Sequence, residues 1–169
     1  MSTTKTPTPP PGLDALLAAK EMVLVCGSGG VGKTTTAAAL GLQAATELGG
    51  RVLVLTVDPA RRLADALGIG AVGLGNVEVR VDPSRLSTPM RGELWMAMLD
   101  TKASWDELVV RHAPDLATRE AILANPLYRN LTSRFVHSHE YIAMERLHEL
   151  HASGAYDLVI VDTPPSRHA

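Results

Sequence analysis

The chain has 169 residues, of which 46% are hydrophobic and 20% charged, with a formal net charge of -2. That length suits one domain with a real core, and the near-neutral charge gives no reason to expect a general nucleic-acid binder. The single cysteine excludes an internal disulfide or a cysteine zinc site within one chain, and no apolar run reaches the roughly eighteen residues of a membrane span.

Met1 to Pro11 is rich in Thr and Pro and has no apolar segment. It reads as a disordered tail rather than a signal peptide, so a cytoplasmic location is expected. We divide the chain into a tail over 1–12 and one domain over 13–169. With one Phe, two Trp and three Tyr, its core must rely on Val, Leu and Ala. Leu13 to Ala19 can form a short helix. Val23-Leu24-Val25-Cys26 is a short apolar strand, and Thr35 to Leu48 is an Ala- and Leu-rich helix ended by Gly49-Gly50.

Between that strand and helix lies Gly27-Ser28-Gly29-Gly30-Val31-Gly32-Lys33-Thr34-Thr35. It fits Gly-x-x-x-x-Gly-Lys-Thr, the P-loop pattern. A phosphate group carries several negative charges and needs many donors close by. Glycines let the backbone curl so that successive N–H groups point at one centre. Lys33 can reach the terminal phosphates, the Thr34 hydroxyl can ligate magnesium, and the helix N-terminus adds its dipole.

Further on, Val52 to Val57 is a continuous β-branched and Leu run, as expected of a strand buried on both faces of a parallel sheet. Asp58-Pro59 stops it. Arg61 to Leu67 reads as a helix closed by Gly68, and Ile69 to Gly75 as a loop. Val77 to Val81 alternates and suits a strand, Ser84 to Gly92 is irregular, and Leu94 to Leu99 reads by length as another strand. Ser104 with Glu107 forms a capping box that starts a helix running to about His112. Asp115 to Ala124 is helical, the Asn130 to Val136 region is ambiguous, and His139 to Ala152 is helical with Met144, Leu147 and His151 near one face. Leu158 to Val161 is the last strand. Asp162 follows it, placed to hold magnesium through water at the strand's carboxyl end. The fold expected is α/β: a mostly parallel sheet with helices on both faces.

Three stretches resemble one family. The loop is similar to the deviant Walker A loop of the ATPases related to MinD and ParA. Asp58-Pro59-Ala60-Arg61-Arg62-Leu63-Ala64-Asp65-Ala66-Leu67 resembles the first switch of one branch, the arsenite-transporting and tail-anchored-protein targeting ATPases. Asp162-Thr163-Pro164-Pro165-Ser166-Arg167-His168 resembles that branch's second switch. The order matches from residue 22 onward, while residues 70–150 match less distinctly.

The resemblance implies a P-loop fold and Mg-dependent ATP hydrolysis by a dimer with nucleotide at the subunit interface. Asp58 would orient or activate the attacking water, and Lys33 would neutralise phosphate charge. Thr34 and Asp162 would serve magnesium. His168 would belong to the second switch. A hydrophobic client or membrane-protein partner is implied, and no nucleic acid. Two departures stand out. Ser28 occupies the position of the family's second lysine, and Arg61 or Arg62 is the expected source of the missing charge. Family members also continue past the second switch, so this domain is expected to be the N-terminal part of a longer one, with the sheet incomplete at its C-terminal end. A non-hydrolysing nucleotide-binding module is the main alternative. A positioning ATPase acting on DNA or membrane fits less well, because there is neither a basic face nor a terminal amphipathic helix.

Other chemistry-bearing residues have plainer readings. Cys26 reads as a small core residue at a strand end. His137 with His139, and His148 with His151, lack a partner set for a metal. Met96 and Met98 read as core packing, with Met90 and Met144 as candidates for an adaptable groove. The Glu140 to Glu149 charges read as a solvated face.

Overall fold

The apolar runs form strands, and helices pack over both faces of the sheet that the strands build. The computed structural model describes residues 12–57, 63, 76–134 and 138–165. The chain order is α1 (Leu13–Ala18), β1 (Met22–Val25), α2 (Lys33–Glu47), β2 (Arg51–Thr56), β3 (Val79–Arg80), a 3-10 turn (Pro83–Arg85), β4 (Glu93–Met98), α3 (Thr101–His112), α4 (Leu116–Ala124), α5 (Pro126–Arg134), α6 (Ser138–Ser153) and β5 (Leu158–Asp162). The helix and loop expected over 61–75 lie outside the described residues, Leu63 apart, as does the tail over 1–11.

The strands lie in the order β1-β5-β2-β4-β3. The β1–β5, β5–β2 and β2–β4 pairs are parallel, and only β3 is antiparallel. Among the described strands the last, β5, therefore lies between the first two. Both faces are covered, as continuous Val/Leu strands require. On one face Val52, Val54, Leu94, Met96, Leu158 and Ile160 pack against the small side chains of α2, including Ala37 and Ala44. On the other, Leu53, Leu55, Val159 and Val161 pack against Ile142, Leu147 and Leu150 of α6, with Trp105 and Leu108 of α3 alongside.

One close approach sets the α2 layer. A Cβ on Gly41 would overlap the Val54 side chain and sit 3.3 Å from Leu94 Cδ1. Only glycine lets this helix lie so near the sheet. At the far end of the sheet, the Arg51 guanidinium lies 5.5 Å from the Trp95 ring centroid and 5.7 Å from that of Tyr156, within cation–π range.

Several local expectations need correction. The helix expected at Ser104 begins at Thr101, because Asp100 caps it: its Oδ1 accepts from Ala103 N at 2.9 Å. The Ser104 hydroxyl instead donates to the Asp100 carbonyl at 2.9 Å. The ambiguous region belongs to α5 as far as Arg134, with Pro126 in the first helical position where its missing N–H is harmless. The buried stripe of α6 is Ile142, Ala143, Leu147 and Leu150, whereas Met144 is 66% exposed and His151 pairs with Glu21 at the surface. Nor is Glu149 on a solvated face. It meets Arg111 and, at 3.1 Å, Arg146, and Arg146 bonds Glu78 at 2.5 Å. No helix among the described residues is long and apolar enough to cross a membrane.

Candidate functional site

Motif residues from both ends of the described chain meet at the carboxyl edge of the sheet. β1 ends at Val25 and the chain enters the loop, where Gly30 and Gly32 take φ of 78 and 87. That left-handed geometry strains any residue with a Cβ. Gly32 is the N-cap of α2, so Lys33 and Thr34 begin the helix, two residues earlier than expected. Their N–H groups are among those a helix leaves without internal partners. The loop around them is open, with Gly29, Gly30 and Val31 exposed.

The two functional side chains of the loop have defined partners. Lys33 Nζ donates to the Ser28 carbonyl at 2.8 Å, folding the ammonium back over the loop. Thr34 Oγ1 donates to Asp162 Oδ2 at 2.7 Å, across 128 residues of chain. Ser28 is half-buried and Thr35 exposed. Beyond β5, Thr163 Oγ1 donates to the Val25 carbonyl at 2.8 Å, which keeps the chain after Asp162 alongside the loop. Pro165 then lies beside Gly29, 3.9 Å from where a Cβ would be.

Asp162 is 1% exposed, and its Oδ1 is buried with no hydrogen-bond partner among the described residues. A buried carboxylate oxygen without a partner is costly and calls for an explanation. A hydroxyl oxygen and a carboxylate oxygen side by side are a hard donor pair of the kind magnesium takes. The residues present therefore fit that ion, with Thr34 and Asp162 as the groups that would hold it.

Sequence reasoning missed Thr56. Its hydroxyl donates to Asp162 Oδ2 at 3.1 Å, and the residue is 1% exposed. The available signal was a hydroxyl closing an otherwise Val/Leu strand that runs beside the strand of Asp162. Asp58, Arg61, Arg62 and His168 lie outside the described residues. Cys26 is corrected from core to exposed. The reason is topological: among the described residues β1 has one strand neighbour, and Cys26 lies past its last residue. Among the described residues no cluster of three His, Cys, Asp or Glu could hold a metal by themselves.

Comparison with known proteins places the chain in a family. The family model described as an anion-transporting ATPase matches residues 20–169. The chain is 29% identical over 161 residues to a protein of Malassezia globosa named ATPase GET3, covering 94% of this chain and 44% of that one. It is 24% identical over 142 residues to a protein of Chlorobaculum tepidum named as an arsenical pump-driving ATPase, covering 83% of this chain and 32% of that one. A protein of Halobacterium salinarum with the same name is 29% identical over 149 residues, covering 84% of this chain and 21% of that one. The chain thus spans less than half the length of these curated relatives.

Proposed function

The chain belongs to the anion-transporting ATPase family, and from that premise we propose that it binds ATP with magnesium at the loop Gly27–Thr34 and takes part in its hydrolysis. One observation supports this reading most: Thr34 donates to Asp162 at 2.7 Å, while the other oxygen of that buried carboxylate has no partner among the described residues.

The proposed division of labour follows from the chemistry. Phosphoryl transfer asks for positioning and charge neutralisation more than for covalent help. The loop N–H groups and the α2 N-terminus would cradle the phosphates. Lys33 would leave the Ser28 carbonyl for the stronger, charged acceptor that a phosphate offers. Magnesium, held by Thr34 and Asp162, would neutralise phosphate charge. Asp58, just past the end of β2, would orient the attacking water. The water's oxygen would join the terminal phosphorus as the bond to the bridging oxygen breaks, giving ADP and phosphate with a proton released to solvent. Arg61 or Arg62 would supply part of the charge that Ser28 lacks, and His168 would belong to the segment that responds to nucleotide. A homodimer, a hydrophobic client or membrane-protein partner, and a cytoplasmic location complete the proposal.

Ser28 favours a second reading, in which the chain binds nucleotide without turning it over. The test is Mg-ATP binding and phosphate release, with Lys33→Ala as control. We expect Lys33→Ala to weaken binding by about 10–100-fold, the usual consequence of losing a charged hydrogen bond. Phosphate release that depends on Lys33 supports the ATPase reading, and binding without release supports the second. Equal behaviour of Lys33→Ala and the unaltered chain would refute both.

A further inference from the structure

We infer that Thr56 is a positioning residue for the metal-binding carboxylate, an inference that rests on the function proposed for the same site. β2 and β5 run parallel and in register, with Thr56 beside Asp162. Partners in register point to the same face of a sheet. The earlier positions on that face, Val52 and Val54 of β2 and Leu158 and Ile160 of β5, belong to the α2 core. Thr56 and Asp162 close the face at its loop end, each 1% exposed.

Valine would fill this buried position with nearly the same shape. What the hydroxyl adds is a hydrogen bond to Asp162 Oδ2 at 3.1 Å, next to the one that Thr34 makes at 2.7 Å. A carboxylate only accepts, so both hydroxyls direct their protons at the same oxygen. The lone pairs of Thr34 remain available for a cation. The last torsion of an aspartate is soft, and one donor leaves the carboxyl group free to pivot. Two donors, one from α2 and one from the central strand β2, fix its plane. Oδ1, which has no partner among the described residues, keeps its full capacity to accept. Thr56 also ties the carboxylate to the sheet, independently of any shift of the loop helix.

The test is binding of a fluorescent ATP analogue, titrated with Mg2+, to the unaltered chain and to Thr56→Val, Thr56→Ser and Lys33→Ala. For Thr56→Val we expect the Mg2+ needed for half-maximal effect to rise by about 10–100-fold, as for other groups that orient a metal ligand. Affinity in excess chelator should be unchanged, and Thr56→Ser should titrate like the unaltered chain. A purely structural role would shift binding with and without metal alike. If Thr56→Val titrates normally while Lys33→Ala binds poorly, this inference is wrong and the site reading stands. If Lys33→Ala also binds normally, the site reading fails and this inference fails with it. Should melting curves show Thr56→Val to be unfolded, Thr56→Ala measured against Thr56→Ser gives the same decision.

Discussion

Gly32 shows how much of the site rests on single backbone angles. It sits at φ 87 immediately before α2, and a Cβ there would meet nothing within 4 Å. The cost of Gly32→Ala is therefore backbone strain alone, about 1–2 kcal/mol for a left-handed residue with a side chain. We expect a loss of that size in urea denaturation, together with weaker nucleotide binding, because relaxing φ re-aims Lys33 and Thr34. Unchanged stability would show that the left-handed angle is not required. The glycines, Lys33, Thr34 and Asp162 were legible from sequence because the loop motif has fixed spacing and the strand before Asp162 is purely apolar. Thr56 was not. Threonine is an ordinary strand residue, and only the register of β2 against β5 turns its hydroxyl into a partner of Asp162. Cys26 misled for a related reason: a cysteine after an apolar run looks buried until the strand is found at the edge of the described sheet.

Among the elements, α2 carries the site, and its placement depends on Gly41. In an exposed helix, Gly→Ala gains about 1 kcal/mol of helix propensity. Here the added methyl overlaps Val54, which is 0% exposed and cannot swing aside. Overpacking of this kind costs about 1–3 kcal/mol, so the clash should win. Gly41→Ala is expected to lower stability in chemical denaturation despite its better propensity, and to disturb the Thr34–Asp162 bond by lifting the helix. A stabilised variant would show that the sheet can yield at Val54. Helix and strand identities were largely readable from periodicity. Their ends were less so, because caps compete locally: Asp100 and the Ser104–Glu107 pair both qualify as helix starts, and only the folded backbone shows Asp100 to be the cap. The α6 stripe was misplaced because the apolar Met144 faces solvent while Ile142, Ala143 and Leu150 turn to the sheet with Leu147.

For the molecule as a whole, the helical layer behind the sheet is joined by charge as well as by apolar packing. Burial pushes the Glu149 carboxyl up, but hydrogen bonds from Arg146 and Arg111 outweigh it and hold the group below the usual 4.5. A carboxyl depressed in the folded state adds stability above its unfolded value, and this is lost as pH falls through the folded value. Glu149→Gln should therefore melt lower than the unaltered chain near neutral pH. The gap between the two melting temperatures should narrow once pH drops below 4.5. A gap that stays constant with pH would mean the charge on Glu149 contributes nothing. The parallel α/β class was legible because both-face burial leaves uninterrupted Val/Leu strands. The pairing of α3 with α6 through Arg111 and Glu149 was not, since nothing local joins residues that far apart. The strand order carries one more consequence. β5 separates β1 from β2, so on the ribosome the first two strands emerge without their shared neighbour. Synthesis runs from the loop toward Asp162, but assembly of the sheet has to wait for residues 158–162. Thr34 therefore gains its carboxylate partner only after residue 162 has been made, and a nascent chain carries the phosphate loop well before that.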